Sequence, residues 1–231
     1  MKTRTSATAA FLAAAAMLLP GCAATVDGIA AAPADLTVAS APVEMQAAPM
    51  GSAQDAVEVP LDSLVRSTVR TSALFWQTQG INVDVESSRV DGELTCAGAT
   101  SSGASAAFCP TTTFDLVKYS PSILGQRRAN GGDLAVRITI AHEVGHAARL
   151  TSGVVTANEA VAHAELSSDC AAGAALADAG VDRSAAQTAI LATELGKQIP
   201  RSPLTPTQRT EAFFAGFDGA VSPMGCFSYT G

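Results

Sequence analysis

The sequence predicts one α+β domain that is mostly helical and contains a small β element. Apolar residues recur at helical spacing in residues 61–80 and in several stretches of the second half of the chain. Residues 111–119 are instead rich in β-branched and aromatic side chains, which is typical of a strand. The 231 residues suit one domain of ordinary size with additional segments.

Composition narrows the classes of partner. The formal net charge is −7, and an acidic balance argues against nucleic acid or an anionic membrane surface as the main partner. Hydrophobic residues make up 48% of the chain but aromatic residues only 5%, so we expect a core built from Ala, Val, Leu and the eight Phe.

The N-terminus has the pattern of an export signal. Lys2 and Arg4 precede an apolar run over residues 9–19, which is shorter than the ~20 residues that span a bilayer. The following Leu-Pro-Gly-Cys resembles a bacterial lipobox, so residues 1–21 are predicted to be a lipoprotein signal peptide and Cys22 to carry the lipid. This predicts a protein exported and anchored by lipid to the outer face of a bacterial cell membrane. The alternative is an ordinary secretory signal with an unmodified Cys22.

The predicted domain begins after a linker. Residues 22–58 are rich in Ala, Pro, Ser and Val without helical or strand periodicity, which is typical of a flexible tether. The folded domain is expected over residues 59–231. Its first helix is predicted at residues 61–80, with Gly80 as the stop and Trp76, the single tryptophan, in the core.

A His-Glu-x-x-His motif lies inside the apolar run of residues 138–150. On a helix, His142 and His146 are one turn apart on the same face and can hold one Zn²⁺ at about 2.0–2.1 Å each. Glu143 lies roughly 100° further round the helix, so it can reach a water molecule beside the metal and act as general base. With three histidines in the chain, about 0.0015 such matches are expected by chance. The alternative is a helix with a buried histidine and an accidental motif.

A second helix, predicted from Asn158 to about residue 179, carries further candidates. Glu165 and Asp169 are four residues apart and share a face. Glu165 can be the third metal ligand, and Asp169 can accept a hydrogen bond from the outer nitrogen of a zinc-bound histidine. His163 competes with Glu165, but it lies about 200° away round the helix, so both cannot face the metal. We predict a surface position for His163.

The remaining helical predictions frame this region. The motif helix is expected over residues 134–150, with Arg137 and Arg149 facing solvent. Another helix is predicted over residues 183–197. A last helix is predicted from Thr205 to near Asp218, because Thr205, Pro206 and Gln208 form a capping-box pattern.

The cysteines predict two disulfides, which an exported location permits. With Cys22 lipidated, four cysteines remain and three pairings are possible. Cys96 and Cys109 bracket a short loop, and a bridge between them would contribute ~3 kcal/mol if unstrained. That leaves Cys170 with Cys226. Cys170 is also a candidate thiolate ligand, but it lies about 140° round the helix from Glu165 and should face away from the metal.

At these motifs the chain resembles the bacterial neutral zinc metallopeptidase family, over about residues 60–230. The resemblance is carried by residues 142–146 and by Glu-Leu-Ser-Ser-Asp-Cys-Ala-Ala-Gly at 165–173, where Ser168 replaces the family's usual Ala. The resemblance implies a zincin-like fold, with zinc ligands His142, His146 and Glu165 and with Glu143 as base. Supporting features are Cys96, Phe108-Cys109-Pro110, Gln208-Arg209, Phe214-Ala215-Gly216-Phe217-Asp218 and a late cysteine.

The sequence therefore predicts a lipid-anchored, zinc-dependent peptidase that acts on peptides or proteins. By analogy with zincins, the strand at 111–119 is expected to be an edge strand beside the metal, where substrate can pair. The rival interpretation is a catalytically silent zinc-binding envelope lipoprotein that serves as a binding or assembly module. Tyr119, Tyr229 and Arg209 are equal candidates for stabilising the transition state, although Arg209 can instead pair with Glu211.

Overall fold

The computed structural model describes residues 59–96, 99–101, 103–111, 114–155, 160–193, 195–196 and 203–231. The predicted signal peptide, the lipid attachment at Cys22 and the tether lie outside these ranges and stay predictions. Within these ranges, no helix combines the length and the apolar character needed to cross a membrane.

Helices dominate the described part of the chain, and they are accompanied by short strands. This confirms the prediction of an α+β, mostly helical fold. In chain order the elements are α1 Leu61–Thr78, β1 Val85–Arg89, β2 Leu94–Cys96, β3 Ala99–Ser101, β4 Ala106–Cys109, β5 Asp115–Tyr119, α2 Pro121–Thr151, α3 Val161–Asp178, α4 Arg183–Ile190, α5 Pro206–Phe217 and a 3₁₀ helix Met224–Ser228.

The main sheet has three strands in the order β1-β5-β4. β1 runs parallel to β5, and β4 runs antiparallel to it with Phe108 opposite Val117. The strand predicted within residues 111–119 is therefore present as β5, but its role as an edge strand is wrong. β5 is the central strand, so both of its edges already pair with neighbours. β4 is the edge strand that packs on α2.

The core forms where α1 packs against α2 and α3. Leu64, Val65 and Val69 of α1 are buried at helical spacing. Trp76 is fully buried, and its ring centroid lies 4.9 Å from that of Phe227 in the C-terminal 3₁₀ helix. The predicted core position of Trp76 is confirmed.

α2 consists of two helical segments joined at Gly132, and the segment that carries the motif begins after this glycine, as predicted. α2 as a whole begins at Pro121, and its helical backbone is interrupted at Gly132, whose φ of 69° suits glycine because it has no Cβ. The predicted exposure of Arg137 is confirmed. The prediction that Arg149 faces solvent is wrong. Arg149 is buried, because other elements cover the last turns of α2 on nearly every side.

Glycine residues let α3 and α5 approach until the backbone of one helix contacts the backbone of the other. A Cβ on Gly173 of α3 would collide with the carbonyl oxygen of Phe213, and a Cβ on Gly216 of α5 would collide with that of Cys170. Only a residue without a side chain fits at these two positions of the crossing. The crossing lies in the C-terminal half of α3 and the last turns of α5 and holds the two helices side by side.

Two of the helix ends lie where the sequence predicted them, and two lie elsewhere. Gly180 follows α3 with a φ of 72°, and the capping box of Thr205 and Gln208 opens α5, as predicted. α3 begins at Val161, and the proposed cap Asn158 lies outside the described residues. α4 ends at Ile190 rather than near residue 197, because the chain turns directly after it.

Both predicted disulfides are present. Cys96 of β2 is bonded to Cys109 of β4, with their Cα atoms 5.2 Å apart. Cys170 of α3 is bonded to Cys226 of the 3₁₀ helix, with their Cα atoms 5.3 Å apart. The second bridge ties the C-terminal segment to α3, and it excludes Cys170 as a thiolate ligand in this oxidised chain.

Candidate metal centre

The two motif histidines face one another from successive turns of α2. Their Nε2 atoms are 3.1 Å apart, and their rings are nearly perpendicular, with an interplanar angle of 89°. Gly145, between them, lies at the crossing with α3, where a Cβ would stand 3.0 Å from the carbonyl oxygen of Ser168. The absence of a side chain at Gly145 therefore lets α3 pack closely beside the motif.

α3 brings Glu165 to the two histidines. Its Oε2 lies 3.4 Å from Nε2 of His142, and its Oε1 lies 3.4 Å from Nε2 of His146. The three residues form a group whose potential ligand atoms lie within 4.8 Å of one another. The structure thus places together the three residues predicted as metal ligands.

The spacing of these donor atoms fits a small tetrahedral cation. Ligands bound at about 2.0–2.1 Å in tetrahedral geometry are separated by about 3.3–3.4 Å. The two imidazole nitrogens are 3.1 Å apart, and each lies 3.4 Å from a different oxygen of Glu165, so the separations are close to that value with one carboxylate oxygen facing each histidine. Two imidazole nitrogens and a carboxylate are also a donor set that Zn²⁺ accepts. The exposed fractions of the His142, His146 and Glu165 side chains are 8%, 16% and 24%, so the group opens on the side of His146 and Glu165.

Glu143 lies beside this group but is not a member of it. The residue is buried, and its Oε2 accepts a hydrogen bond of 2.7 Å from the backbone N–H of Phe108 in β4. Burial raises the pKa of Glu143, against the opposing effect of the positive charges of His142 and His146. A carboxyl group with a raised pKa holds a proton more readily than an exposed one, which suits a general base.

Asp169 orients one of the histidines. Its side chain is completely buried, and its Oδ1 lies 2.7 Å from Nδ1 of His142. A carboxylate at this distance from the outer nitrogen favours a proton on Nδ1 and leaves Nε2 free to bind a metal. This is the position predicted for Asp169 from its spacing to Glu165.

Arg209 joins the two carboxylates of α3. Its Nε donates to Oδ2 of Asp169 at 2.8 Å, and its Nη2 donates to Oδ1 of Asp169 at 2.9 Å and to Oε2 of Glu165 at 3.1 Å. Arg209 thus pairs with the two carboxylates of α3, which the sequence did not single out as its partners. The sequence contains a signal for this role. Arg209 shares the buried i, i+3, i+4, i+7 face of α5 with Ala212, Phe213 and Gly216, and an arginine on such a face needs a buried partner.

The titrating groups of the centre are strongly coupled. Burial alone would lower the pKa of His142, but the negative charges of Asp169 and Glu165 outweigh it and raise that pKa to about 10. Burial would raise the pKa of Glu165, but hydrogen bonds and charge from His142 and His146 hold it well below its ordinary value. In the chain without metal, Asp169 and Glu165 therefore favour a positive charge on the His142 imidazole that lies between them.

The contacts found for the other candidates are with residues other than the three ligands. The Tyr119 hydroxyl donates to Oδ1 of Asp62 at 2.9 Å, and burial together with this carboxylate raises the pKa of Tyr119 to about 12. Tyr229 packs against the small apolar cluster around Leu166. His163 is half-buried rather than on the surface, and burial and the positive charge of Arg149 lower its pKa. Its burial follows from the unexpected burial of this end of α2.

Sequence reasoning missed the contribution of β4. The Phe108 ring lies nearly parallel to the ring of His146, with centroids 6.4 Å apart and an interplanar angle of 13°. The backbone of Phe108 also holds Glu143. β4 therefore forms one side of the centre, which a strand of only four residues did not signal by its pattern.

Models of known protein families were compared with the chain, and none matches it. Comparisons with curated proteins and with solved structures also give no match. The resemblance to neutral zinc metallopeptidases therefore rests on the motifs of the sequence alone.

Proposed function

We propose that this chain is a zinc-dependent peptidase. The observation that carries the proposal is the combination of two features: two imidazoles and a carboxylate whose potential ligand atoms lie within 4.8 Å of one another, and a buried carboxylate, Glu143, beside that group. Zinc is the ion proposed, because two imidazoles and one carboxylate with a further open position are typical of catalytic zinc sites. A zinc ion held there would supply Lewis-acid activation of a water molecule and of the scissile carbonyl.

The protein's own groups supply the proton transfers. Oε2 of Glu143 is held by the Phe108 N–H, while Oε1 accepts no hydrogen bond from the residues that the structure describes. Oε1 is therefore the atom that would take the proton of the water molecule whose oxygen bonds to the scissile carbonyl carbon. The same carboxyl group then delivers that proton to the leaving amine as the C–N bond breaks.

The proposed substrate is a peptide segment in extended form. β4 is the edge strand nearest to the centre, so it replaces β5 as the strand on which a substrate backbone would pair. The Phe108 N–H at this edge already donates to Glu143, so a substrate would pair with other backbone groups of β4, and the Phe108 ring lies beside His146. A substrate paired along β4 would pass the three ligands on their open side.

Export and lipid anchoring are part of the same proposal. The two disulfides support an oxidising compartment outside the cytoplasm. The lipid anchor on Cys22 is proposed from the N-terminal sequence pattern alone, and it would hold the peptidase at the outer face of the membrane.

One observation favours a second candidate, a catalytically silent zinc-binding lipoprotein that binds a partner or assists assembly. Glu143 has a structural role as the acceptor for Phe108 N–H, so its presence does not by itself require catalysis. The Glu143→Gln variant separates the two candidates, because a glutamine oxygen can still accept from Phe108 but cannot serve as a base.

The experiment combines metal analysis with cleavage of a peptide library by the purified protein. A zinc peptidase should bind one zinc per chain and cleave, and Glu143→Gln should keep the zinc while activity falls about 10²–10⁴-fold. Glu211→Gln, an exposed residue of α5, is the matched control and should be as active as the wild type. Zinc binding without any cleavage by the wild type would favour the silent candidate. Absence of bound zinc would contradict both.

A further inference from the structure

Arg209 is a buried cation that the proposed reaction does not use. The residue is 4% exposed, and it lies in the first turns of α5, directly after the capping residue Gln208. The N-terminus of a helix carries partial positive charge, which disfavours a cation there. Burial of a guanidinium also costs free energy unless the charge is paired. Helix stability therefore does not account for Arg209.

Arg209 contacts the proposed ligand Glu165 directly and the proposed ligand His142 indirectly, through Asp169. In the direct contact, Nη2 donates to Oε2 of Glu165 at 3.1 Å. The indirect contact passes through Asp169, which accepts two hydrogen bonds from the guanidinium and lies 2.7 Å from Nδ1 of His142. A single side chain thus contacts the carboxylate ligand and the carboxylate that orients a histidine ligand.

We propose that Arg209 is a positioning residue for the metal centre, which fixes Glu165 and the Asp169–His142 pair in their metal-binding arrangement. This proposal depends on one part of the proposed function, namely that His142, His146 and Glu165 bind zinc. Arg209 touches neither metal nor substrate in this scheme. It acts through the two carboxylates of α3.

The geometry of the guanidinium explains why arginine occupies this position. Asp169 and Glu165 are one turn apart on the same face of α3, so their negative charges repel one another. A planar guanidinium can donate to both oxygens of Asp169 and to Glu165 at once, whereas a lysine ammonium is a point charge on a flexible chain. Arg209 thereby offsets the repulsion and holds both side chains before the metal arrives. Preorganisation of this kind raises affinity by lowering the ordering cost of binding.

The backbone of α5 supports the position of Arg209. The capping box of Thr205 and Gln208 sets where the helix begins. The crossing at Gly173 and Gly216 holds α5 against α3 at backbone distance. Arg209 therefore approaches the carboxylates from a well-packed helix and not from a loop.

The test measures zinc affinity by competition with a chromogenic chelator for the wild type, Arg209→Lys and Arg209→Met. The visible absorption spectrum of each cobalt-loaded protein is a second readout, because it reports the ligand geometry and not merely the stability of the fold. Arg183→Lys is the matched control. Arg183 makes the same two-pronged contact with Asp218, at 2.8 Å and 3.0 Å, but on the surface at the other end of α5.

We expect both Arg209 variants to bind zinc about 10–100-fold more weakly than the wild type. Their cobalt spectra should change, while Arg183→Lys should match the wild type in both measurements. The double variant Arg209→Met with Asp169→Asn should lose less affinity than the sum of the single variants, because both act through one contact.

Wild-type affinity and spectrum in Arg209→Lys and Arg209→Met would overturn this proposal and leave the zinc site intact. An unfolded Arg209→Lys alongside a folded Arg183→Lys would also overturn it, by assigning Arg209 to the stability of the fold. If the wild type itself binds no zinc, or if His142→Ala binds it equally well, the proposed function fails instead.

Discussion

The backbone N–H of Phe108 donates a 2.7 Å hydrogen bond to Oε2 of Glu143, which links the edge strand β4 to the motif helix α2. This contact gives Glu143 a structural role beside its proposed role as base. The two roles can be separated, because glutamine keeps the acceptor and alanine removes it.

We therefore predict that Glu143→Ala is less stable to unfolding than Glu143→Gln, although both lack peptidase activity. The alanine variant leaves the Phe108 N–H without its acceptor, which costs about 1–3 kcal/mol when the donor stays shielded from water. Urea denaturation of the two variants measures the difference. Equal stabilities would mean that water replaces the carboxylate and that β4 is held by other contacts.

A second prediction separates Glu165 from Asp169. Glu165→Ala removes a proposed ligand and should nearly abolish zinc binding. Asp169→Asn removes the charge behind His142 and should weaken zinc affinity or activity by about 10–100-fold while the ligand set stays complete. Isothermal titration of the metal-free proteins with zinc measures both. A stronger loss in Asp169→Asn than in Glu165→Ala would reverse the assignment of ligand and orienting residue.

The crossing of α3 and α5 leads to a third prediction. Gly216→Ala should destabilise the fold by at least about 1–3 kcal/mol, because the new methyl group meets the carbonyl of Cys170 and the helices must separate. The separation should also move Arg209 away from α3 and weaken zinc binding. Gly125→Ala is the control. Nothing lies within 4 Å of its Cβ, so this helical substitution should be neutral or stabilising by up to about 1 kcal/mol. Thermal unfolding and zinc titration of both variants provide the measurements.

The Cys170–Cys226 bridge gives a fourth prediction. Cys226→Ser should loosen zinc binding without changing a ligand, because the bridge holds the 3₁₀ helix against α3, which carries Glu165 and Asp169. The sequence separation of the bridged cysteines is 56 residues. Removal of a disulfide that closes a loop of this size costs about 4 kcal/mol of stability in the chain-entropy model. Chemical denaturation and zinc titration, with peptide mapping under non-reducing conditions to verify the wild-type pairing, test the prediction. Unchanged zinc affinity in a destabilised Cys226→Ser would assign the bridge to stability alone.

Local features of the centre were predictable from the sequence. His142 and His146 face one another because residues four apart share a helix face, and this relation depends only on helix geometry. The relation of Glu165 to Asp169 has the same origin. The capping box at Thr205 and the glycine after α3 were also predictable, since each depends on the backbone chemistry of a few consecutive residues.

Relations between distant segments were decided by the tertiary structure. The composition of residues 111–119 indicates a strand, but only the pairing with β1 and β4 determines that β5 is central and that β4 lies at the edge. The sequence offers Glu211 as a partner for Arg209. The close approach of α3 and α5 selects Asp169 and Glu165, because a buried guanidinium must pair with the carboxylates that packing brings within reach. Hydrophobic spacing determines which face of an element is buried, whereas packing of all the elements together determines which charges meet there.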